Sequence, residues 1–257
     1  MTVRLERTGA IARIVLDRPD ALNALNGEMK DRIGDLALEL QRDTDVRCVV
    51  LCGTGRAFCS GSDIGTMTGF DVRAGRARLQ QAHRFILGIA NLDKPVIAAV
   101  RGATVGVGFS LALASDLVVA SDTARFGLVF KKVGLAPDGG MAYFLTHAVG
   151  ARRAKELMLS ARLFDAREAQ SLGLVAEVVD DATLDARAME LAEELASSAT
   201  FALAMGKRMF RAAGPGSLED FPDTPLPDPG FRFDRMPAHR DAQGMIQCKR
   251  KGLKLLY

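Results

Sequence analysis

Short apolar runs alternate with amphipathic segments along this chain, and that alternation constrains its fold more than any other feature. The runs "VRCVVLCG" and "KPVIAAVRG" are continuously apolar, as strands buried on both faces are. Further strands are predicted at "AIARIVLDRP", "DLVVASD" and "LVAEVVD". Because strands alternate with helical segments, the sequence predicts an α/β fold.

The predicted helices show apolar residues at helical spacing. In "NGEMKDRIGDLALELQRD", Met29, Ile33, Leu36 and Leu40 fall on one face. Other helices are expected around residues 73 to 90, 150 to 160, 183 to 198 and 199 to 213. The composition is that of a soluble globular protein, with 257 residues of which 48% are hydrophobic and 25% charged.

One stretch near the C-terminus interrupts this pattern. Residues 214–230, "GPGSLEDFPDTPLPDPG", hold five of the nine prolines, so no regular helix can cross them. We expect an extended or mobile loop there. The predicted organisation is a core over residues 1–200 and a C-terminal helical or oligomerisation segment over residues 201–257.

Charge and apolar patterning restrict the partners and the location. The uncharged run 102–115 is too short to span a bilayer, and "MTVRLERTGA" has no apolar secretory core, which predicts a cytoplasmic protein without a membrane partner. Of the net charge of +3, the residues from His239 onward carry +4 and the remainder −1. That basic tail suits an anionic ligand such as a phosphate, or is a solvated helix end. A near-neutral body with few aromatics argues against nucleic acid.

The cysteines do not indicate a metal site. Cys48, Cys52, Cys59 and Cys248 form no CxxC pair and no zinc-like spacing with the three histidines. Cys48 and Cys52 flank an apolar strand, which predicts buried core thiols.

Two glycine-rich turns come after predicted strands. In "GTGRAFCSGSDI", residues 53 to 64, glycines let the backbone turn sharply and approach a ligand. In "GATVGVGFSLALASD", Gly106 and Gly108 would let a ligand reach the first turn of a buried helix, where N–H groups are unpaired. Two such turns can supply the two donors of an oxyanion hole. The alternative is a plain loop in which Asp63 caps the next segment of the chain.

Several motifs in order resemble the crotonase family, also called the enoyl-CoA hydratase/isomerase superfamily. They are "LDRPDALNALN", "AFCSGSDI", "AAVRGATVGVGFSLALASDLVVASDTARFG", "GLAPDGGMAYFL…VGARRAKELML" and "DAREAQSLGLVAEVV". The resemblance covers residues 3 to about 210. It implies a spiral of ββα turns with a C-terminal helical segment, an acyl-CoA ligand and assembly as a homotrimer or homohexamer. Coenzyme A then enters as part of the thioester substrate, and no separate cofactor is implied.

The resemblance also assigns binding residues. The family's two thioester-carbonyl donors fall on the backbone N–H groups of Ser62 and Val107, where Val107 replaces a frequent glycine. The parts that hold adenine and pantetheine match two segments and one tail residue: Arg18, Ala21 and Leu22; Ser60, Gly61, Ser62, Asp63 and Ile64; and Lys249.

The acids of the family's hydratases are missing here. The two glutamates that position and protonate water in those enzymes correspond to Ser110 and Phe130, so two-glutamate hydration is not expected. Asp138 in "GLAPDGG" matches the motif in which several family isomerases place a single catalytic aspartate. The same motif is also a good helix N-cap, so the residues leave both roles open for Asp138.

Other residues are assigned to the substrate pocket or remain alternatives. Gly106, Ser110 and Phe130 are expected to line the pocket. Tyr143 would line it too, unless it is simply a buried aromatic. A dehalogenase of the family uses a histidine near His83, about one helical turn away, and His147 is interpreted as a packed or surface residue.

The leading hypothesis is an enoyl-CoA double-bond isomerase with Asp138 as its acid/base. A weak hydratase, a dehalogenase and a thioester hydrolase remain alternatives on the same fold. A catalytically silent acyl-CoA-binding paralogue or an RNA-binding relative are alternatives of another class.

Overall fold

Two β-sheets and seven α-helices make up the described part of the protein, a computed structural model that covers residues 2–66 and 72–212. The strands are β1 (Val3–Thr8), β2 (Ile11–Leu16), β3 (Cys48–Gly53), β4 (Val96–Val100), β5 (Ala103–Val105), β6 (Leu117–Ser121), β7 (Arg125–Gly127), β8 (Leu163–Asp165) and β9 (Glu177–Val179). The helices are α1 (Gly27–Arg42), α2 (Val72–Ala90), α3 (Val107–Leu113), α4 (Met141–Ser160), α5 (Ala166–Ser171), α6 (Leu184–Ser197) and α7 (Thr200–Ala212).

The larger sheet has six strands in the order β1-β2-β3-β4-β6-β9. Only β1 and β2 pair antiparallel, and the other neighbours are parallel. The smaller sheet has the order β5-β7-β8. A bridge between Cys59 and Thr104 adds the chain after β3 to this second sheet.

The chain moves between the two sheets in successive turns. It leaves the large sheet at β4, enters the small sheet at β5 and continues into α3. It repeats the path through β6, β7 and α4. The result is the expected spiral of ββα turns. Since parallel strands end at one edge of a sheet, the loops that come after β3 and β4 lie beside each other.

The hydrophobic core has two parts. The main one lies between the two sheets and helices α1, α2, α3 and α4, and a second one lies between the other face of the large sheet and α6. Three buried rings, Phe109, Phe126 and Phe164, meet with centroids 5.2 to 6.0 Å apart. They fix α3 on the small sheet. This packing stabilises the turn from which α3 starts.

Most predicted elements are confirmed within a few residues. The helix predicted at 150 to 160 is the second half of α4, which has a non-helical residue at Gly150. The sequence patterns do not predict strand β1 or the small sheet. Cys48, Cys52 and Cys59 are buried free thiols, and burial raises the pKa of Cys48 to about 12.

Two expectations concern residues outside the described part. The proline-rich loop at 214–230 and the basic tail with Lys249 both lie there. Among residues 2–66 and 72–212, no helix has the length and apolar character needed to cross a bilayer.

Candidate functional site

The two glycine-rich turns touch each other. A Cβ atom built on Gly61 would lie 3.2 Å from the carbonyl oxygen of Val105 and 3.9 Å from the backbone nitrogen of Val107. Gly61 and Gly106 have φ of +104° and +55°, a region that favours glycine. The turns after β3 and before α3 therefore form one surface, as the sequence suggested.

The N–H groups of Ser62 and Val107 belong to this surface. Gly106 is the N-cap of α3, and Val107 is its first residue, so its N–H has no partner inside the helix. Within residues 2–66 and 72–212, neither N–H donates a backbone hydrogen bond to another residue. Both donors are therefore available for an oxygen atom of a ligand.

Gly108 has a different role from the one expected. A Cβ atom there would lie 2.5 Å from the carbonyl oxygen of Cys59 and 2.7 Å from its Sγ. The small size of Gly108 lets α3 pack directly on the Cys59 backbone. The expectation that Gly108 makes room for a ligand is wrong, because the protein's own turn fills that space.

The segment from Arg18 to Leu25 is joined to the Ser60–Asp63 turn by main-chain hydrogen bonds. Leu25 N–H donates to Gly61 O at 2.8 Å, Asp63 N–H to Leu25 O at 3.0 Å and Ser60 N–H to Leu22 O at 3.0 Å. Ser60 Oγ also donates to Ala21 O at 3.4 Å. The structure therefore brings together the two segments assigned to coenzyme A binding, whereas Lys249 lies outside the described residues.

Side chains reinforce this junction. Arg18 donates to Asp63 Oδ2 at 2.6 Å and to Ala24 O at 3.0 Å. The Arg18 guanidinium lowers the pKa of Asp63, which keeps that carboxylate ionised. Asp63 Oδ1 accepts from Gly65 N–H at 3.0 Å, so the expected local capping bond occurs as well. Ile64 comes next, with 63% of its surface exposed.

Asp138 lies in the loop that precedes α4, and this loop packs on the first turn of α3. A Cβ atom on Gly139 would lie 2.8 Å from Val107 Cγ2 and 3.3 Å from Ser110 Cβ. Ser110 is fully buried and its Oγ donates to the carbonyl oxygen of Asp138 at 3.3 Å. Ser110 therefore holds the loop through this hydrogen bond, and the Val107 side chain packs against Gly139 of the loop.

Asp138 is not the N-cap of α4. That position belongs to Gly140, and no side chain caps the helix. Asp138 contributes only its carbonyl oxygen, which accepts from Met141 N–H at 3.1 Å. The capping interpretation of the "PDGG" motif is therefore wrong, because two glycines separate the carboxylate from the helix.

The Asp138 carboxyl group is half-buried. Its Oδ1 is buried and has no hydrogen-bond partner in the described ranges 2–66 and 72–212. Burial raises the pKa of Asp138, and the nearby charges of Lys30 and His83 act in the opposite direction. A carboxylate with a raised pKa and a free oxygen is suited to accept and return a proton.

Lys30 is a residue that the sequence reasoning missed. It is on α1, is 9% exposed, and its Nζ lies 3.1 Å from Ser62 Oγ. A signal was present, because Lys30 precedes Ile33 by three residues and so falls near the apolar stripe of α1. A lysine near that stripe could have been recognised as buried, but its contact with Ser62 joins residues that are 32 positions apart.

The remaining pocket residues divide between core and surface. Phe130 is 6% exposed and belongs to the main core. Tyr143 is 53% exposed, so the alternative of a buried aromatic is wrong for it. Its ring centroid lies 4.1 Å from that of His147, with the two rings tilted by 39°, and His147 Nδ1 lies 2.8 Å from Tyr143 O.

An apolar cavity of about 1230 Å³ opens beside the Asp138 loop, between α2, α4 and α7. Gly140, Tyr143 and His83 are in its wall. The other contributors include Leu87, Leu113 and Phe144.

Comparison with known proteins gives consistent matches. The family model for enoyl-CoA hydratase/isomerase matches residues 6–219. The 1,2-epoxyphenylacetyl-CoA isomerase of Escherichia coli K12 is 35% identical over 213 residues, which cover 81% of both chains. A Rhodobacter capsulatus protein named "Probable enoyl-CoA hydratase" is 37% identical over 211 residues, covering 82% of this chain and 81% of the relative.

A solved structure agrees with these matches. A Thermobifida fusca YX protein, solved in complex with CoA, superposes with a TM-score of 0.79 at 34% identity, covering 85% of this chain and 87% of the other. The motifs, the spiral fold and the matches agree, and the chain belongs to the enoyl-CoA hydratase/isomerase family.

Proposed function

We propose that the protein is an enoyl-CoA double-bond isomerase that uses Asp138 as its single acid/base. One observation carries this proposal: the Asp138 loop packs against Val107 and Ser110, beside the residues Gly61, Ser62, Gly106 and Val107, which we call the oxyanion turn. By resemblance to the family, Ser110 and Phe130 correspond to the two glutamates of its hydratases. An isomerase needs one group that takes and returns a proton, whereas two-glutamate hydration needs two acids.

The proposed reaction balances without another reactant. The N–H groups of Ser62 and Val107 polarise the thioester carbonyl of a 3-enoyl-CoA, each contributing about 3 kcal/mol to lowering the barrier. The Asp138 carboxylate removes a proton from C2, and the electron pair forms a dienolate. The same proton is then delivered to C4, and the double bond lies between C2 and C3.

Binding is assigned to the segments described above. The Arg18–Leu22 and Ser60–Ile64 segments would hold the adenine and pantetheine of coenzyme A. The apolar cavity beside Gly140 has room for an acyl chain. Coenzyme A takes part only as a portion of the substrate, so the reaction uses no separate cofactor. The homotrimer or homohexamer and the cytoplasmic location stay predictions.

The test is incubation with a 3-enoyl-CoA and, separately, a 2-enoyl-CoA, and the products are separated by chromatography with mass detection. Interconversion at unchanged mass supports the isomerase. A gain of one water instead identifies a hydratase and overturns the proposal. Binding without conversion of either thioester identifies a silent acyl-CoA binder or an enzyme for another thioester.

A further inference from the structure

A buried ammonium group lies in the wall of the site. Lys30 is 9% exposed, and its Nζ lies within hydrogen-bond distance of Ser62 Oγ, at 3.1 Å. Lysine is almost never this buried unless its charge is compensated, because removing it from water is costly. Because a buried charge is weakly screened, the charge of Lys30 acts on the groups around it, which include Ser62 and Asp63.

The position of Lys30 links the two halves of the site. Ser62 carries one of the two proposed oxyanion donors on its backbone and binds Lys30 through its side chain. The Asp138 loop reaches the same turn from the other side, through the contact between Gly139 and Val107. A charge beside Ser62 is therefore close to the place where negative charge develops in the proposed reaction.

The charged groups around this position come from several elements. In the part of the chain that the structure describes, Asp138 is influenced by Lys30 from α1 and by His83 from α2. Lys30 also faces Asp63, which is paired with Arg18. Burial raises the pKa of Asp138 and the Lys30 charge lowers it, so the two effects oppose each other.

We propose that Lys30 is a positioning residue whose ammonium group orients Ser62 and supplies the positive charge shared by the oxyanion turn and the Asp138 carboxylate. This inference rests on the proposed role of Asp138 as acid/base. Lys30 itself transfers no proton and forms no covalent bond. Its charge favours the ionised form of Asp138, which is the form that can act as a base.

The test compares Lys30→Met with Lys30→Arg, which retains the charge. Lys155→Met removes the same charge from an exposed position on α4 and serves as the matched control. Two quantities are measured for each protein. The first is the pH dependence of kcat/KM for isomerisation of a 3-enoyl-CoA. The second is the titration of Asp138 itself, from infrared spectra of each protein minus those of its Asp138→Asn counterpart.

In Lys30→Met, we expect the acidic limb of kcat/KM and the infrared midpoint of Asp138 to move to higher pH by about one unit. Lys30→Arg and Lys155→Met should keep the wild-type midpoint. An unchanged Asp138 midpoint in Lys30→Met overturns the proposal. If Lys30→Met does not fold, Lys30→Gln replaces it, since an amide can still donate to Ser62 Oγ without a charge.

The infrared measurement separates this proposal from the proposed function. If the wild-type protein isomerises no enoyl-CoA, the function is wrong, whatever Lys30 does. The infrared midpoints still report whether Lys30 controls the ionisation of Asp138.

Discussion

The hydroxyl group of Ser110 donates a hydrogen bond to the carbonyl oxygen of Asp138, at 3.3 Å. By resemblance to the family, Ser110 corresponds to a glutamate of its hydratases, and here its hydroxyl group holds the loop of the proposed acid/base.

Ser110→Ala tests this tether. The variant should lose about 1 kcal/mol of unfolding free energy, because the buried carbonyl loses a donor, and kcat should fall as the Asp138 loop shifts. Urea unfolding and steady-state kinetics measure both. Ser171→Ala, which removes a bond from Ser171 Oγ to Glu168 O at 2.8 Å on the surface of α5, is the control. An unchanged kcat in Ser110→Ala would mean that the loop needs no tether.

Asp138→Asn should abolish most of the isomerase activity. General acid–base catalysis contributes about 10²–10⁴-fold, and an amide cannot replace the carboxylate in that role. Coenzyme A affinity should stay within about twofold, because the segments proposed to bind it do not include Asp138. Calorimetric titration and the mass-detected assay measure the two quantities. Turnover within a few-fold of wild type would show that another base acts.

The raised pKa of Asp138 also predicts how the stability of Asp138→Asn differs from that of the wild type as the pH changes. Burial raises the pKa of Asp138 above its ordinary 3.8, so the folded state holds this proton more tightly than the unfolded state. The stability contribution of the protonated carboxyl is complete below pH 3.8 and is lost as pH rises through the folded pKa. Asp138→Asn should therefore gain stability relative to wild type as pH rises.

Chemical unfolding at a series of pH values between about 4 and 8 measures this difference. Asp122→Asn, an exposed aspartate in the turn between β6 and β7, is the control and should show no comparable rise. A difference that shrinks toward neutral pH would contradict the burial argument.

Gly108→Ala tests the contact between α3 and Cys59. The added Cβ would lie 2.5 Å from a backbone oxygen, which cannot rotate away, so the variant should lose about 1–3 kcal/mol of unfolding free energy. Gly206→Ala in α7 meets no atom within 4 Å and should be neutral or slightly stabilising. If the two variants unfold at the same denaturant concentration, the close approach does not limit stability.

Arg18→Met tests the junction of the binding segments. Loss of the bonds to Asp63 and Ala24 should weaken coenzyme A thioester binding about tenfold, or ~1.4 kcal/mol, with little change in kcat. Titration calorimetry with acetyl-CoA gives the affinity. Arg4→Met, which removes an exposed ion pair with Asp17, should bind as wild type does. Equal affinities in the two variants would remove Arg18 from the binding site.

Local patterns explain which parts of the fold could be predicted. Helix α1 could be predicted, because the residues of its apolar stripe lie within one continuous segment. They are Met29, Ile33, Leu36 and Leu40. Strands β5, β7 and β8 have three residues each, and their pairing joins distant residues such as Phe126 and Phe164. No short window of sequence contains that information.

The candidate site also combines features that the local sequence predicts with features that depend on the assembled fold. The two turns could be predicted from their glycines, because a backbone with positive φ favours glycine over other residues. The capping role predicted for Asp138 is wrong because Gly139 and Gly140, with φ of +59° and +75°, delay the start of α4. The stripe of α1 predicts that Lys30 is buried, but its contact with Ser62 joins distant residues, so its place in the site emerges only from the assembled structure.

The loop of residue 138 is held through its main chain. Ser110 and Met141 both donate to the carbonyl oxygen of Asp138, and Gly139 packs on Val107, so the side chain of residue 138 makes none of these contacts. A substitution of residue 138 can therefore change the side chain at this position while the main-chain contacts of the loop stay the same. Within a lineage, the chemistry at this position is free to diverge while the scaffold is inherited unchanged.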